Sequence, residues 1–161
     1  MPLIMKSDAR IGVINRGEAA VRCIGAVKEY NLLRGAQLTT VALYIDVERH
    51  ALFVKQADRS YPLEAMNGFR KLTSSPYLAH DFLVAALKKT GCTAAWVGWG
   101  FLAEDPLFAT KLEEAGIVLL GPSAHAMAQL GDKVEAKKLA VEAQVPTLPW
   151  SGEPLADLAA A

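Results

Sequence analysis

The segment GPSAHAMAQLGDK, Gly121 to Lys133, puts a lysine where helix physics disfavours it. A helix is expected to begin at Asp132, with that aspartate as its cap, so Lys133 falls in the first turn beside the positive end of the helix dipole. An anion held at that end would offset the repulsion. The competing reading is a solvated lysine that tolerates a few tenths of a kcal/mol of unfavourable field, and spacing alone favours it. Glu135, Lys137 and Lys138 read as ordinary helix surface.

A second candidate is WVGWGFLAE, Trp96 to Glu104. Glycines on both sides of Trp99 let the backbone turn sharply and present a flat aromatic face to a ligand. Trp96 and Phe101 read as core, whereas Trp99 is balanced between core and ligand platform. The third candidate, Asn15-Arg16-Gly17-Glu18, follows the first strand, where a dinucleotide fold carries its phosphate loop. It fits that role badly, because only one of the three glycines is present and Glu18 sets a negative charge where a pyrophosphate needs bare amides. Asp46, at the end of the second strand, could hold a ribose, but capping the helix that follows is the commoner use of such an aspartate. Nicotinamide dinucleotide binding is therefore rejected.

The histidines, His50, His80 and His125, share no metal-binding spacing and are expected at the surface or in caps. Cys23 and Cys92 form no CxxC or Cys/His pattern and read as buried free thiols rather than a disulfide or zinc site. Neither a GxSxG nucleophile motif nor a phosphate-binding P-loop is present.

The elements that must position these residues alternate. Ile11 to Ile14, Thr39 to Ile45, Ser60 to Leu63, Thr93 to Val97 and Ile117 to Leu120 read as strands, with Pro62 putting the third at an edge. Helices are expected over Glu18–Tyr30, Glu48–Ala57, Pro76–Lys89, Pro106–Ala115, Ser123–Leu130 and Lys133–Ala143, with Ser75-Pro76 and Asp105-Pro106 as cap-then-proline starts and Gly91 and Gly116 as stops. Such alternation builds an α/β fold, a mostly parallel sheet with helices on both faces. Ligands meet such a sheet at the carboxyl ends of its strands, here at Asn15–Glu18, Asp46–Arg49, Gly98–Glu104 and Gly121–Ser123.

With 161 residues and 52% hydrophobic content the chain supports one core. Seventeen basic and seventeen acidic residues cancel, so nothing marks a general nucleic-acid or membrane-surface binder and any anion site must be local. Met1 to Ala9 lacks the pattern of a signal peptide, no apolar run is long enough to span a bilayer, and a soluble cytoplasmic protein is expected. LADLAAA, from Leu155 to Ala161, stops in what reads as the middle of a helix, so the chain is expected to be part of something longer.

Four motifs in order and register, INRGEAAVR (Ile14 to Arg22), GWGFLAED (Gly98 to Asp105), GPSAHAMAQLGDK and VPTLPWSG (Val145 to Gly152), resemble the amino-terminal domain of biotin carboxylases. The resemblance runs from about Ile11 to Gly152. It implies a three-layer Rossmann-like, pre-ATP-grasp sheet, divided as an extension over 1–9, the domain over 10–150, and over 151–161 the start of a linker toward an ATP-grasp domain. It also implies the family chemistry: ATP, magnesium and bicarbonate form carboxyphosphate, which carboxylates biotin on a carrier domain. The first half-reaction of an acetyl-CoA or other acyl-CoA carboxylase, with its role in fatty acid biosynthesis, is the expected setting. The partners implied are the downstream ATP-grasp and carboxy-terminal biotin carboxylase domains, a biotin carboxyl carrier and a carboxyltransferase, with neither nucleic acid nor membrane among them.

By the same resemblance Lys133 matches a GDK lysine that contacts ATP phosphate, and Trp99 stands where bacterial members carry a biotin-facing tyrosine. No catalytic residue and no metal ligand is expected within these 161 residues, and the chain alone is expected to be inactive. Gly25 replaces an arginine of the bacterial homodimer while Arg22 and Glu29 are kept, so that dimer is not implied. Trp96-Val97 replaces a histidine-proline pair, and with PWSG this resembles more closely the single-chain acetyl-CoA carboxylases of eukaryotic type. The alternative from another class is a non-catalytic interaction or scaffold domain on the same fold.

Overall fold

The computed structural model describes residues 6–72 and 74–151. The readings on 1–5, Gly152 and the 155–161 segment lie outside the described residues. Chain order is β1 (Arg10–Val13), α1 (Gly17–Arg34), β2 (Thr39–Tyr44), α2 (Leu52–Gln56), β3 (Arg59–Pro62), α3 (His80–Lys89), β4 (Ala94–Trp96), α4 (Pro106–Glu114), β5 (Val118–Leu119), α5 (Ala124–Gly131) and α6 (Lys133–Glu142). The strands form one sheet in the order β3-β2-β1-β4-β5, and every pairing is parallel. Gly12 lies opposite Val41 on one side and Ala95 on the other, so β1 is the central strand.

Side chains alternate across the sheet, and each face is covered by its own helices. On one face Val41, Leu43, Ala95 and Val97 pack against Leu83 and Leu87 of α3 and Phe108 and Leu112 of α4. On the other, Val13 and Ala42 meet Ala20 and Ile24 of α1 and Phe53 and Val54 of α2. Each fully buried Leu or Phe contributes about 1.5–3 kcal/mol. Close approach of α3 depends on Gly12, because a Cβ there would sit 2.1 Å from Leu87 Cδ2 and 3.3 Å from Cys92 Sγ. The residue that looks weakest in β1 is the one that admits the helix.

Several boundaries differ from expectation. Helix α1 runs a turn beyond Tyr30, to Arg34, because Gly35 adopts the left-handed conformation (φ 62°) that closes it; Tyr30 is half exposed and the buried residues are Ala19, Ala20, Ile24 and Val27. The expected helix Glu48–Ala57 is instead a 3-10 turn, Asp46–Glu48, followed by the short α2. Glu48 is drawn inward to the Ile45 amide (3.2 Å) and the Tyr77 hydroxyl, and this tightens the turn. The expected helix Pro76–Lys89 is broken at Ala79, and Ser75 makes no side-chain cap. Tyr77, tied to β2 through the Leu43 carbonyl (3.2 Å), holds Pro76–Leu78 as a separate 3-10 turn. Asp105 caps α4 through the Phe108 amide (2.9 Å), and Ser123 caps α5 through the Ala126 amide (3.1 Å). Cys92 is buried, but Cys23 is half-buried, and both thiols are free.

Candidate functional site

Strand order reverses around β1, whose neighbours are β2 on one side and β4 on the other. At that reversal the loops leaving β1 and β4 diverge and open a crevice at the carboxyl ends of the strands. A cleft of about 230 Å³ lies there, lined among others by Asn15, Arg16, Tyr77, Trp99 and Leu102.

Asn15 ties its two walls together. Its amide Nδ2 donates to the carbonyls of Val97 (2.8 Å) and Trp99 (3.1 Å), while its Oδ1 accepts from the Arg16 amide (2.7 Å). Gly98 sits between the two accepting carbonyls at φ 62°, and a Cβ there would lie 2.6 Å from Asn15 Nδ2 and 2.7 Å from the Trp96 ring. Gly100 has φ 136° and ψ −168°, a region open essentially to glycine alone. The two glycines therefore turn the backbone sharply and hold Trp99, 65% exposed, at the cleft mouth. Trp96 packs part-buried against the core. Phe101 lies in a 3-10 turn, Phe101–Glu104, and its side chain is outside the described residues.

The opposite wall is a polar cluster. Glu48 accepts from the Tyr77 hydroxyl (2.5 Å) and the Ile45 amide, and its other oxygen lies 3.5 Å from Arg16 Nη1. The Arg16 guanidinium sits over the Tyr77 ring, 5.7 Å from its centre. Burial, and then the hydrogen bond to Glu48, push the Tyr77 hydroxyl far above the ordinary tyrosine range, so near neutral pH it is a protonated donor. Arg16 itself is 65% exposed. The cleft thus offers an oriented cation and a flat aromatic surface, a pairing suited to a planar, polar or anionic group.

The other candidate residues lie apart from this cluster. Asp46 pairs with Arg49 (3.1 Å) and its side chain caps nothing, because Glu48 takes the turn amide instead. His80 joins α3 to the α4 cap through Asp105 (Nε2 to Oδ2, 3.0 Å) and packs on Phe108. His50 accepts from Arg49 Nε at 3.3 Å, and His125 is exposed. No group of three or more His, Cys, Asp or Glu that could hold a metal ion occurs among the described residues.

Lys133 is exposed at the first position of α6 and is not among the residues lining the cleft. Asp132 Oδ1 accepts from the amides of Val134 (2.8 Å) and Glu135 (3.0 Å), and these bonds hold its carboxyl below the usual carboxylate range. The anion that offsets the lysine is therefore supplied by its own neighbour. Helix physics at this end does not demand a nucleotide, and the case for Lys133 rests on its motif, its exposure and the lack of a carboxylate partner among the described residues. Lys138 pairs with Glu135, and Lys137 lies over the Trp150 ring at 5.4 Å.

Sequence reasoning set Asn15, Arg16 and Glu48 in the strand-end loops Asn15–Glu18 and Asp46–Arg49 without giving them a part in a cleft, and missed Tyr77. The bonds that join these residues across the cleft span 29 to 84 residues of chain, beyond any periodic signal. The nearest hint was an aromatic residue just after Ser75-Pro76.

Residues 7–127 match the family model "Biotin carboxylase, N-terminal domain". The chain is 34% identical over 149 residues to a pyruvate carboxylase subunit of Methanothermobacter thermautotrophicus, covering 92% of this chain and 28% of that protein. It is 39% identical over 144 residues to the mitochondrial propionyl-CoA carboxylase alpha chain of Homo sapiens, covering 89% of this chain and 18% of the relative. Among solved structures, the biotin carboxylase domain of Hydrogenobacter thermophilus 2-oxoglutarate carboxylase, in complex with MgADP, ADP and bicarbonate, superposes with a TM-score of 0.79 at 35% identity, over 94% of this chain and 31% of that one. The chain thus spans less than a third of the length of these relatives. No helix among the described residues is long and apolar enough to cross a membrane.

Proposed function

The chain belongs to the biotin carboxylase amino-terminal domain family, and from that premise we propose that it forms the first domain of an ATP-dependent biotin carboxylase. The match over residues 7–127 is the observation that carries this reading. The reaction proposed is formation of carboxyphosphate from ATP and bicarbonate, followed by transfer of its carboxyl group to the ureido nitrogen of biotin with release of phosphate. Within this scheme the chain's own residues bind and orient. Lys133 meets an ATP phosphate through its ammonium, as a point charge, because Asp132 already occupies two amides at the start of α6. Trp99 offers a flat face to the fused rings of biotin and, having no hydroxyl, adds no hydrogen bond from a phenol.

No residue of this chain is assigned to Mg2+. ATP-grasp and carboxy-terminal domains, a biotin carrier and a carboxyltransferase supply the remainder, and the compartment proposed is the cytoplasm. The acceptor proposed is an acyl-CoA, the class named for the human propionyl-CoA carboxylase chain. Acetyl-CoA and fatty acid biosynthesis are the narrower form of the same proposal. Joining the 161 residues to the ATP-grasp and carboxy-terminal segments of a relative should give bicarbonate-dependent release of ADP, stimulated by free biotin, where the chain alone gives none. Activity from the chain alone would overturn the placement of chemistry outside it, and inactivity of the well-folded joined protein would overturn the function.

A further inference from the structure

A second cleft, of about 420 Å³, opens at the other end of the sheet, around the starts of β1 and β3 and the carboxyl end of α3, and is lined by Arg10, Arg59, Tyr61, Lys88 and Lys89 among others. Four cations and no carboxylate line it. In a chain of zero net charge that is a local concentration of one sign. Elsewhere Arg16, Arg22, Arg49, Lys111 and Lys138 each pair with a carboxylate. These four make no such pair among the described residues: Arg10 Nη1 donates to the Thr90 carbonyl (2.7 Å), and Lys89 lies over the Tyr61 ring at 5.9 Å.

Lysines in the last turn of a helix are ordinarily explained by the dipole, and that accounts for Lys88 and Lys89. It accounts neither for Arg59, on another element, nor for Arg10. The Nε of Arg10 is buried without an acceptor among the described residues, a cost in lost solvation that the fold bears to set this guanidinium in the cleft wall. Gly91, at φ 68°, is what leaves room for this guanidinium, since a Cβ there would lie 2.8 Å from Arg10 Nη1.

We propose that this cleft binds a diphosphate group, with Arg10 and Arg59 as bidentate donors and Lys88 and Lys89 as point charges. A volume of this size suits a small ligand, and several anionic oxygens on one group satisfy several cations together. The site stands apart from the strand-end cleft, so its fate is independent of the carboxylase reading.

The test titrates the 15N-labelled chain with inorganic pyrophosphate at low ionic strength and follows backbone amides. Saturable shifts at Ser60, Tyr61, Thr90 and Gly91 are expected, with affinity falling as salt is added. Arg59 and Lys89 are exposed, so Arg59→Gln with Lys89→Gln should leave the fold intact and weaken binding about tenfold or more. Arg10→Lys, which keeps the charge and removes the planar guanidinium, should also weaken it. The proposal is overturned by shifts that do not saturate, by unchanged affinity in the double variant, by shifts centred on α6 instead, or by malonate binding as tightly as pyrophosphate.

Discussion

Gly98→Ala is the sharpest perturbation of the strand-end cleft. The left-handed backbone at φ 62° disfavours any residue with a Cβ by about 1–2 kcal/mol. Gly17, at φ 61° with nothing within 4 Å of an added Cβ, carries this penalty alone, so Gly17→Ala serves as the internal control. At Gly98 the methyl, only 2.6 Å from Asn15 Nδ2, would also push that amide aside and with it the hydrogen bonds to Val97 and Trp99, each contributing roughly 0.5–1.5 kcal/mol. Gly98→Ala should therefore destabilise by about 2–5 kcal/mol in urea unfolding, and exceed Gly17→Ala by about 1–3 kcal/mol. Asn15→Ala removes one of the two side chains that the methyl strikes, the other being the Trp96 ring, so the double variant should be less destabilised than the sum of the singles. Faster hydrogen exchange around Trp99 should accompany each change. Equal losses for Gly17→Ala and Gly98→Ala, or strict additivity with Asn15→Ala, would refute the coupling assigned to these residues.

Tyr77→Phe removes the hydroxyl donor shared by Glu48, which keeps the Ile45 amide, and the Leu43 carbonyl, and should cost about 1–3 kcal/mol in chemical denaturation. Because the folded pKa of Tyr77 is raised, its contribution is complete below the unfolded value of about 10 and declines as pH rises above it; the phenylalanine variant should show a smaller alkaline loss, the remainder coming from groups such as the Cys23 thiol, whose pKa is also raised. Asp132 shows the opposite sign: its folded pKa is depressed, so protection of the Val134 and Glu135 amides should persist down through the usual carboxylate range and fail only as pH falls through the lowered value, while Asp132→Ala loses it at every pH. In the complete enzyme, Lys133→Ala should weaken ATP use roughly 10- to 100-fold, and unchanged ATP dependence would mark Lys133 as plain surface.

What could be read from the chain was local. Asp105 and Asp132 declared their caps because a cap and its amides lie within three residues. Strands β1, β2 and β4 showed themselves as apolar runs because both sheet faces are covered. Thr39 to Ile45 overran β2 by one residue, where the chain turns toward Glu48. The broken helix at Ala79 was illegible for the same reason the cleft was: its cause, the bond from Tyr77 to β2, spans 34 residues. At Lys133 the adjacent aspartate cap already answers the helix-end field, so a nucleotide there rests on the motif and not on the dipole. The cationic cleft could not be seen at all, since its side chains come from three separated segments and share no period.

The placement of β1 at the middle of the sheet also has a consequence for biosynthesis. Its first neighbour, β2, is complete at Tyr44, but its second, β4, ends only at Trp96. At ribosomal speeds of about 5–20 residues per second, the unmated flank of the central strand faces solvent or a chaperone for roughly 3–10 s on every round of translation. Synonymous codons that slow elongation across this interval should lengthen that exposure and raise the fraction of nascent chains lost to aggregation.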